Sequence, residues 1–219
     1  VINLILHIVA GGPLNTLPNL NEYDQKEVSW VGVDRGLFTL LTKGISPIIG
    51  IGDFDSVSED ELKWIREHYN GLEVAPAEKD ETDNELALNW AIKQAPEKIR
   101  IFGATGGRLD HFLSNVQMLV KGFRANVEIE LVDKQNIMCL LEPGTYSIPR
   151  TLDYPYLSFL PFSSKVKGIN ITGVKYPLSN SDIEWGTTLC ISNEIIEESG
   201  TFSFTEGIVI MVKSKDLLV

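Results

Sequence analysis

The sequence predicts an α/β domain with a parallel sheet over residues 1–133, followed by an all-β domain over residues 134–219. Two observations carry this. Up to about Asp133, short apolar runs alternate with segments of helical period, the pattern of a parallel sheet with helices on its faces. From Lys134 on, the runs are strand-like and broken by Gly, Pro, Asn and Ser, the texture of a β-sandwich or barrel. No Gly-, Ser- or Pro-rich linker and no repeat separates the halves, so the two domains are expected to pack closely.

The opening "VINLILHIVAGG" lacks a basic leader and is too short to span a bilayer, so it reads as the first core strand. "SWVGVD" precedes the helical "RGLFTLLTKG", and "PIIGIGD" precedes "EDELKWIREHY", for which Ser56 and Glu59 have capping-box spacing. In "ETDNELALNWAIKQAP", Thr82 and Glu85 form a second capping box and Pro96 stops the helix. "KIRIFGA" then leads into "LDHFLSNVQMLVKGF", whose Leu109, Phe112, Leu113, Val116, Leu119 and Val120 define an expected buried face, and "VEIELVD" closes the domain. In the second half, "IMCLLEPGTYSI", "YLSFLPFS", "VKGINITGVKYPL", "TTLCISNEII", "GTFSFTEG" and "IVIMVKS" are the strand candidates.

Composition narrows the partners. A net charge of −11 repels nucleic acid and anionic membranes, so neither is expected as a partner, while a cationic small molecule is favoured. Cys139 and Cys190 sit in apolar runs without CxxC spacing, which fits packed thiols in a reducing, cytoplasmic setting. His7 reads as structural and His68 as a surface residue.

The chemistry falls in loops after strands, the edge where open α/β sheets bind ligands. In "GIGDFDSV", Asp53 and Asp55 are two apart and share a side if the backbone stays extended; such a pair suits Mg²⁺, and helix capping is the alternative use. Asp83 stands in the first turn of its helix, where it complements the dipole, but Lys79, Asp80 and Asp83 together make a mixed-charge cluster suited to a metal and a phosphate. "GATGGRLDHFLSN" brings Gly103, Gly106 and Gly107 before a helix that aligns Arg108, His111 and Asn115, with Asp110 beside them. "AGGPLN", residues 10–15, is either a pocket wall or a tight turn.

Taken together, "GDFDS" (52–56), "KDETDNELAL" (79–88), "GGRLDHFLSN" (106–115), "GVKYPL" (173–178) and "ISNE" (191–194) resemble the motifs of the thiamin pyrophosphokinase family, in family order along nearly the whole chain. The resemblance implies a catalytic α/β domain, a C-terminal β-sandwich, and a homodimer with active sites between subunits. It implies transfer of a pyrophosphoryl group from ATP to the hydroxyl of thiamin, with AMP leaving. Asp53, Asp55 and Asp83 would hold Mg²⁺ on the ATP phosphates, with Asp34, Lys79, Asp80, Thr82 and Arg108 at the nucleotide. Asp110 would face the reacting hydroxyl, and either Asp110 or Asp83 would accept its proton. Asn115, Tyr176, Ser192 and Asn193 would bind thiamin, Tyr176 by stacking on the cationic thiazolium. Trp185 is either a second aromatic wall or a core residue. Where many relatives read ADGG, this chain has "VDRG", with Arg35 in place of a glycine beside Asp34. Two other readings are an aspartate-nucleophile phosphohydrolase built on Asp53 and Asp55, and a non-catalytic thiamin or nucleotide sensor.

Overall fold

The structure, a computed structural model, describes residues 4–74 and 80–217. The chain divides into two units, Val1–Lys134 and Gln135–Val219. In the first, β1 (Ile5–Val9), β2 (Val28–Val33), β3 (Ile49–Gly52), β4 (Leu72–Val74), β5 (Lys98–Phe102) and β6 (Glu128–Val132) lie in the order β6-β5-β1-β2-β3-β4. Every neighbouring pair among them is parallel. The near-continuous apolar runs of β1 and β2 follow from this placement, since central parallel strands are covered on both faces. Ile8, Val9, Val31 and Ile99 are fully buried, each burial contributing roughly 1.5–3 kcal/mol.

Between the strands run α1 (Arg35–Thr42), α2 (Glu59–His68), α3 (Asp83–Lys93), α4 (Leu109–Met118) and α5 (Lys121–Ala125). The capping box of α2 is formed by Ser58 and Glu61, not by Ser56 and Glu59. The start of α2 moves along because a turn occupies residues just past β3, where Val57 N–H donates to Phe54 O. Thr82 caps α3 as expected, its Oγ1 accepting the Glu85 N–H at 3.2 Å. The buried face of α4 is only in part the expected one: Val116 and Leu119 are buried, but Leu109 and Leu113 are 75% and 60% exposed, while Asn115 and Met118 are buried as well. The helix is rotated so that Asn115 reaches the backbone carbonyl of Ala104 at 2.9 Å.

His7, buried in β1, packs edge-on against Trp30 and Phe102. Its Nε2 lies 3.4 Å from Arg100 Nη1 and its Nδ1 has no hydrogen-bond partner among the described residues. Desolvation, with Arg100 adding to it, pushes its pKa down to about 3, so the ring is neutral and structural.

The second unit is a β-sandwich. One sheet has the order β12 (Asn193–Glu194), β9 (Tyr156–Pro161), β14 (Val209–Ser214), β7 (Asn136–Leu141); the other has β11 (Leu178–Glu184), β10 (Lys165–Thr172), β13 (Ser199–Phe204), β8 (Gly144–Pro149). All pairings are antiparallel. The inner faces meet in one core, with the rings of Phe159 and Phe202 stacked at 3.7 Å. Cys139 and Cys190 are buried in it. Of "TTLCISNEII", only Asn193 and Glu194 pair as strand, and the polar β11 carried too little alternation to be read from sequence. Trp185 is 68% exposed, which rules out a core role.

Candidate active site

In the first unit the chain steps from β1 through β2 and β3 to β4 on one side, then returns to place β5 on the other side of β1. The loops after β1 and β5 therefore diverge, and such switch points at the carboxyl ends of strands open the ligand crevice of doubly wound sheets. A cavity of about 510 Å³ lies there. Its walls come from Ala10–Pro13 after β1, Asp34 after β2, Asp53, Asp55 and Ser56 after β3, Thr82–Asn84 at the start of α3, and Gly103–Thr105 after β5 with Arg108, His111 and Asn115 of α4. Residues 10–13 are thus a pocket wall. Gly12 must lack a side chain, because a Cβ there would run into the carbonyl of Gly103, to which Gly12 also donates its N–H at 2.9 Å.

Carboxylate oxygens of Asp34, Asp53 and Asp83 lie within 4.8 Å of one another. Asp34 ties the loops together: its N–H donates to Ile51 O at 3.1 Å and its Oδ1 accepts the Phe54 N–H at 3.2 Å. A Cβ on Gly52, whose φ is +153°, would fall on that same oxygen. Burial, then the nearby charges of Asp83, Asp53 and Asp55, push Asp34 up from 3.8 to about 7, partly offset by the Phe54 bond. Mutually repelling acids held this close suit a divalent cation with oxygen ligands.

The geometry after β3 is not the extended one expected. Phe54 has φ +60° and is buried, so Asp53 and Asp55 do not simply share a strand face. Asp55 instead donates its N–H to Asp53 Oδ1 at 3.1 Å, lining the cavity without joining the three-carboxylate cluster. Asp34, read from sequence as a nucleotide contact, is in that cluster.

At the other wall, Arg108 makes a two-pronged pair with Asp110, at 2.6 and 3.1 Å, and both side chains are exposed. The pairing pulls Asp110 down to about 2. Arg108 lines the cavity, whereas neither Asp110 nor the exposed Asp80 is among the lining residues. Lys79 lies outside the described residues. Arg35, the departure from the glycine pattern, opens α1 and pairs with Glu61 at 3.0 Å. His111, aligned in the sequence with Arg108 and Asn115, lines the cavity, and so do Ser56 and Asn84, to which the sequence reading gave no site role. Asn84 stands beside Asp83, and its place at the start of a capped helix was the available signal.

In the second unit, Tyr176 is 59% exposed. The buried Asn193 holds its backbone: Asn193 Oδ1 accepts the Tyr176 N–H at 3.0 Å and Asn193 Nδ2 donates to Tyr176 O at 2.8 Å. Ser192, with φ +54°, donates its N–H to Ser158 Oγ at 2.9 Å. Lys175 Nζ sits 5.6 Å over the Tyr176 ring and bonds Glu194.

A doubly wound sheet with three converging carboxylates, a glycine-lined wall and an arginine at the switch point has the make-up of a metal-assisted phosphoryl-transfer site. The profile "Thiamin pyrophosphokinase, catalytic domain" matches residues 20–131, and "Thiamin pyrophosphokinase, vitamin B1 binding domain" matches residues 145–209. A thiamine pyrophosphokinase of Bacillus subtilis (strain 168) is 50% identical over 211 residues, covering 96% of this chain and 99% of its own. The crystal structure of thiamine pyrophosphokinase from Bacillus subtilis superposes with a TM-score of 0.94 at 50% identity, covering 97% of this chain and 100% of its own. That from Geobacillus thermodenitrificans gives 0.92 at 50% identity, covering 98% and 99%. The chain belongs to the thiamin pyrophosphokinase family. The two-domain fold and the transferase activity expected from the motifs hold. Among the described residues, no helix is long and apolar enough to cross a membrane.

Proposed function

We propose that the crevice of the first unit transfers the pyrophosphoryl group of ATP to the alcohol of thiamin, with Asp34, Asp53 and Asp83 holding Mg²⁺. The observation that carries this is the convergence of those three carboxylates within 4.8 Å of one another at the mouths of β2, β3 and α3. Their donor set fits the ion, since each offers a hard oxygen and their mutual repulsion needs a cation to offset it. When bound, Mg²⁺ supplies charge neutralisation on the polyphosphate.

The chain's own residues position the reactants. The backbone of Gly11 and Gly12 and the glycines after β5 allow close approach of phosphate oxygens, and Arg108 supplies a planar, permanently charged fork. Asp110, paired with Arg108 and held near 2, orients that guanidinium; it is a poor proton acceptor. Of the two carboxylates considered for the hydroxyl proton, Asp83 is the one lining the cavity. Lys79, Asp80, Asp55 and Thr82 complete the nucleotide side in this reading. Asn115 is on the thiamin side, and Tyr176, with Ser192 and Asn193, receives the thiazolium from the partner subunit of a homodimer. Support for the last point is the exposed ring of Tyr176, held by Asn193.

Incubation with thiamin, ATP and Mg²⁺ tests the reading. AMP and thiamin diphosphate should form in equal amounts and only with metal. Inorganic phosphate released without thiamin would identify a hydrolase instead, and binding without product a sensor.

A further inference from the structure

Arg108, His111 and Asn115 are spaced three and four residues apart at the start of α4 and along it, so they form one stripe, and all three line the cavity. The stripe runs from an exposed end to a buried one: Arg108 is open to solvent, and Asn115 is buried and bonded to Ala104 O at 2.9 Å. His111 lies between them. It is exposed, its backbone N–H donates to Asp110 Oδ1 at 3.0 Å, and its ring has no hydrogen-bond partner among the described residues. An imidazole carries at least one N–H whether neutral or cationic, so the ring offers a donor in either state. Charge is sorted along the wall. Among the described lining residues the acids are Asp34, Asp53, Asp55 and Asp83, from the ends of β2 and β3 and the start of α3, while the basic side chains are Arg108 and His111, both at the start of α4.

We propose that His111 is a catalytic residue whose ring N–H binds the pyrophosphoryl group as it passes from ATP to thiamin. The inference rests on the pyrophosphoryl-transfer reading above. In that reading Arg108 is at the nucleotide and Asn115 is on the thiamin side, so the residue between them on the stripe faces the group that moves. A polyphosphate carries more negative charge than one divalent ion offsets, and the acidic residues approach it only through the metal. Its remaining oxygens need donors, and the basic start of α4 supplies them. The cationic thiazolium is repelled there by Arg108. As the alcohol oxygen bonds the β-phosphorus, the bond from that phosphorus to the bridging oxygen breaks and its electron pair leaves with AMP. The alcohol proton goes to Asp83; His111 keeps its own and holds a non-bridging oxygen of the transferred group.

The test follows the moving group through the ligands that carry it. Binding of an α,β-methylene analogue of ATP, thiamin diphosphate, AMP and thiamin is measured by calorimetry with Mg²⁺ for wild type and His111→Ala. The first two contain the transferred pyrophosphoryl group and the last two lack it. His111→Ala should weaken the first two about tenfold, the scale of one hydrogen bond to a charged group, and leave AMP and thiamin as they are. Turnover should fall about tenfold or more, and His111→Gln, whose amide keeps a donor, should recover most of both losses. The melting temperature should not move, because the side chain is exposed and the Asp110 bond uses the backbone. Equal weakening of AMP would place the ring at the nucleotide alone, and weakening of thiamin would place it on the other substrate; either overturns the proposal. So would a lowered melting temperature with all four ligands weakened, or a glutamine variant no better than alanine. Wild-type enzyme that makes no thiamin diphosphate would defeat the underlying reading and this inference with it. Normal wild-type turnover, with affinities that His111→Ala leaves unchanged, would defeat the His111 role alone.

Discussion

Asp34 Oδ1 accepts the backbone N–H of Phe54 at 3.2 Å, so the acid that ends β2 fixes the turn that follows β3. This bond makes the acidic cluster one unit: the loop carrying Asp53 cannot shift without disturbing Asp34. Burial and the neighbouring carboxylates, which outweigh that bond, make Asp34 a source of instability in the metal-free protein. Its folded value of about 7 stands above its ordinary 3.8, so its contribution to stability is full below about pH 4 and is lost as pH rises towards 7. Asp34→Asn keeps an oxygen for Phe54 and removes the charge. The variant should melt higher than wild type at pH 8 without metal, lose the rise in melting temperature that Mg²⁺ gives wild type, and lose activity. Thermal scans at pH 5 and 8 with and without Mg²⁺ check this; equal melting of the two proteins at pH 8 would contradict it.

Asp53→Asn and Asp83→Asn should each lower kcat by about 100-fold or more, because a charge-neutralising ligand set supplies several kcal/mol to phosphoryl transfer. The loss should be partly recovered by raising Mg²⁺. Near wild-type turnover at limiting Mg²⁺ would remove these residues from the metal site.

Gly52→Ala should be costly despite its small size. Its Cβ would displace the Asp34 carboxylate, and the φ of +153° is one that alanine adopts only with strain. A destabilisation of about 2 kcal/mol in denaturant melts, with loss of activity, is expected.

The parallel sheet, the acidic loops and the arginine were legible because they follow from local pattern: apolar runs four to six residues long, then Gly and Asp at their ends. What was not legible came from distant contacts. The left-handed turn at Phe54 is held by an acid twenty residues away. On α4, the polar Asn115 is turned inward to bond Ala104 O while Leu109 and Leu113 are exposed, a choice of face that apolar periodicity alone does not make. In the same way the periodicity of "TTLCISNEII" suggested a strand, while Ser158 and Tyr176 fold its second half into a loop and a two-residue pairing.

Asn193→Ala should act on Tyr176. Two hydrogen bonds to the Tyr176 backbone and one from the Glu194 N–H are lost together at a buried position, which costs about 2 kcal/mol in stability. The KM for thiamin should rise with the KM for ATP unchanged, matching Tyr176→Ala. An unaltered thiamin KM in both variants would detach this loop from the substrate.

His7 sets a limit on the acid side. Its folded value of about 3 lies below the ordinary 6.5, so the stability it supports is full above about pH 6.5 and is lost as pH falls towards 3, where the unfolded chain takes up a proton that the aromatic cage refuses. Between pH 4 and 6.5 this opposes Asp34, whose protonated form is favoured by the fold over the same range. In His7→Leu the acid loss should disappear and only the Asp34 trend remain, so stability should rise steadily as pH is lowered from 7 to 5. Denaturant melts at half-unit pH steps, with wild type and Asp34→Asn alongside, separate the two groups. A wild-type profile that His7→Leu leaves unchanged would mean that the imidazole takes up a proton as readily in the fold as in the unfolded chain.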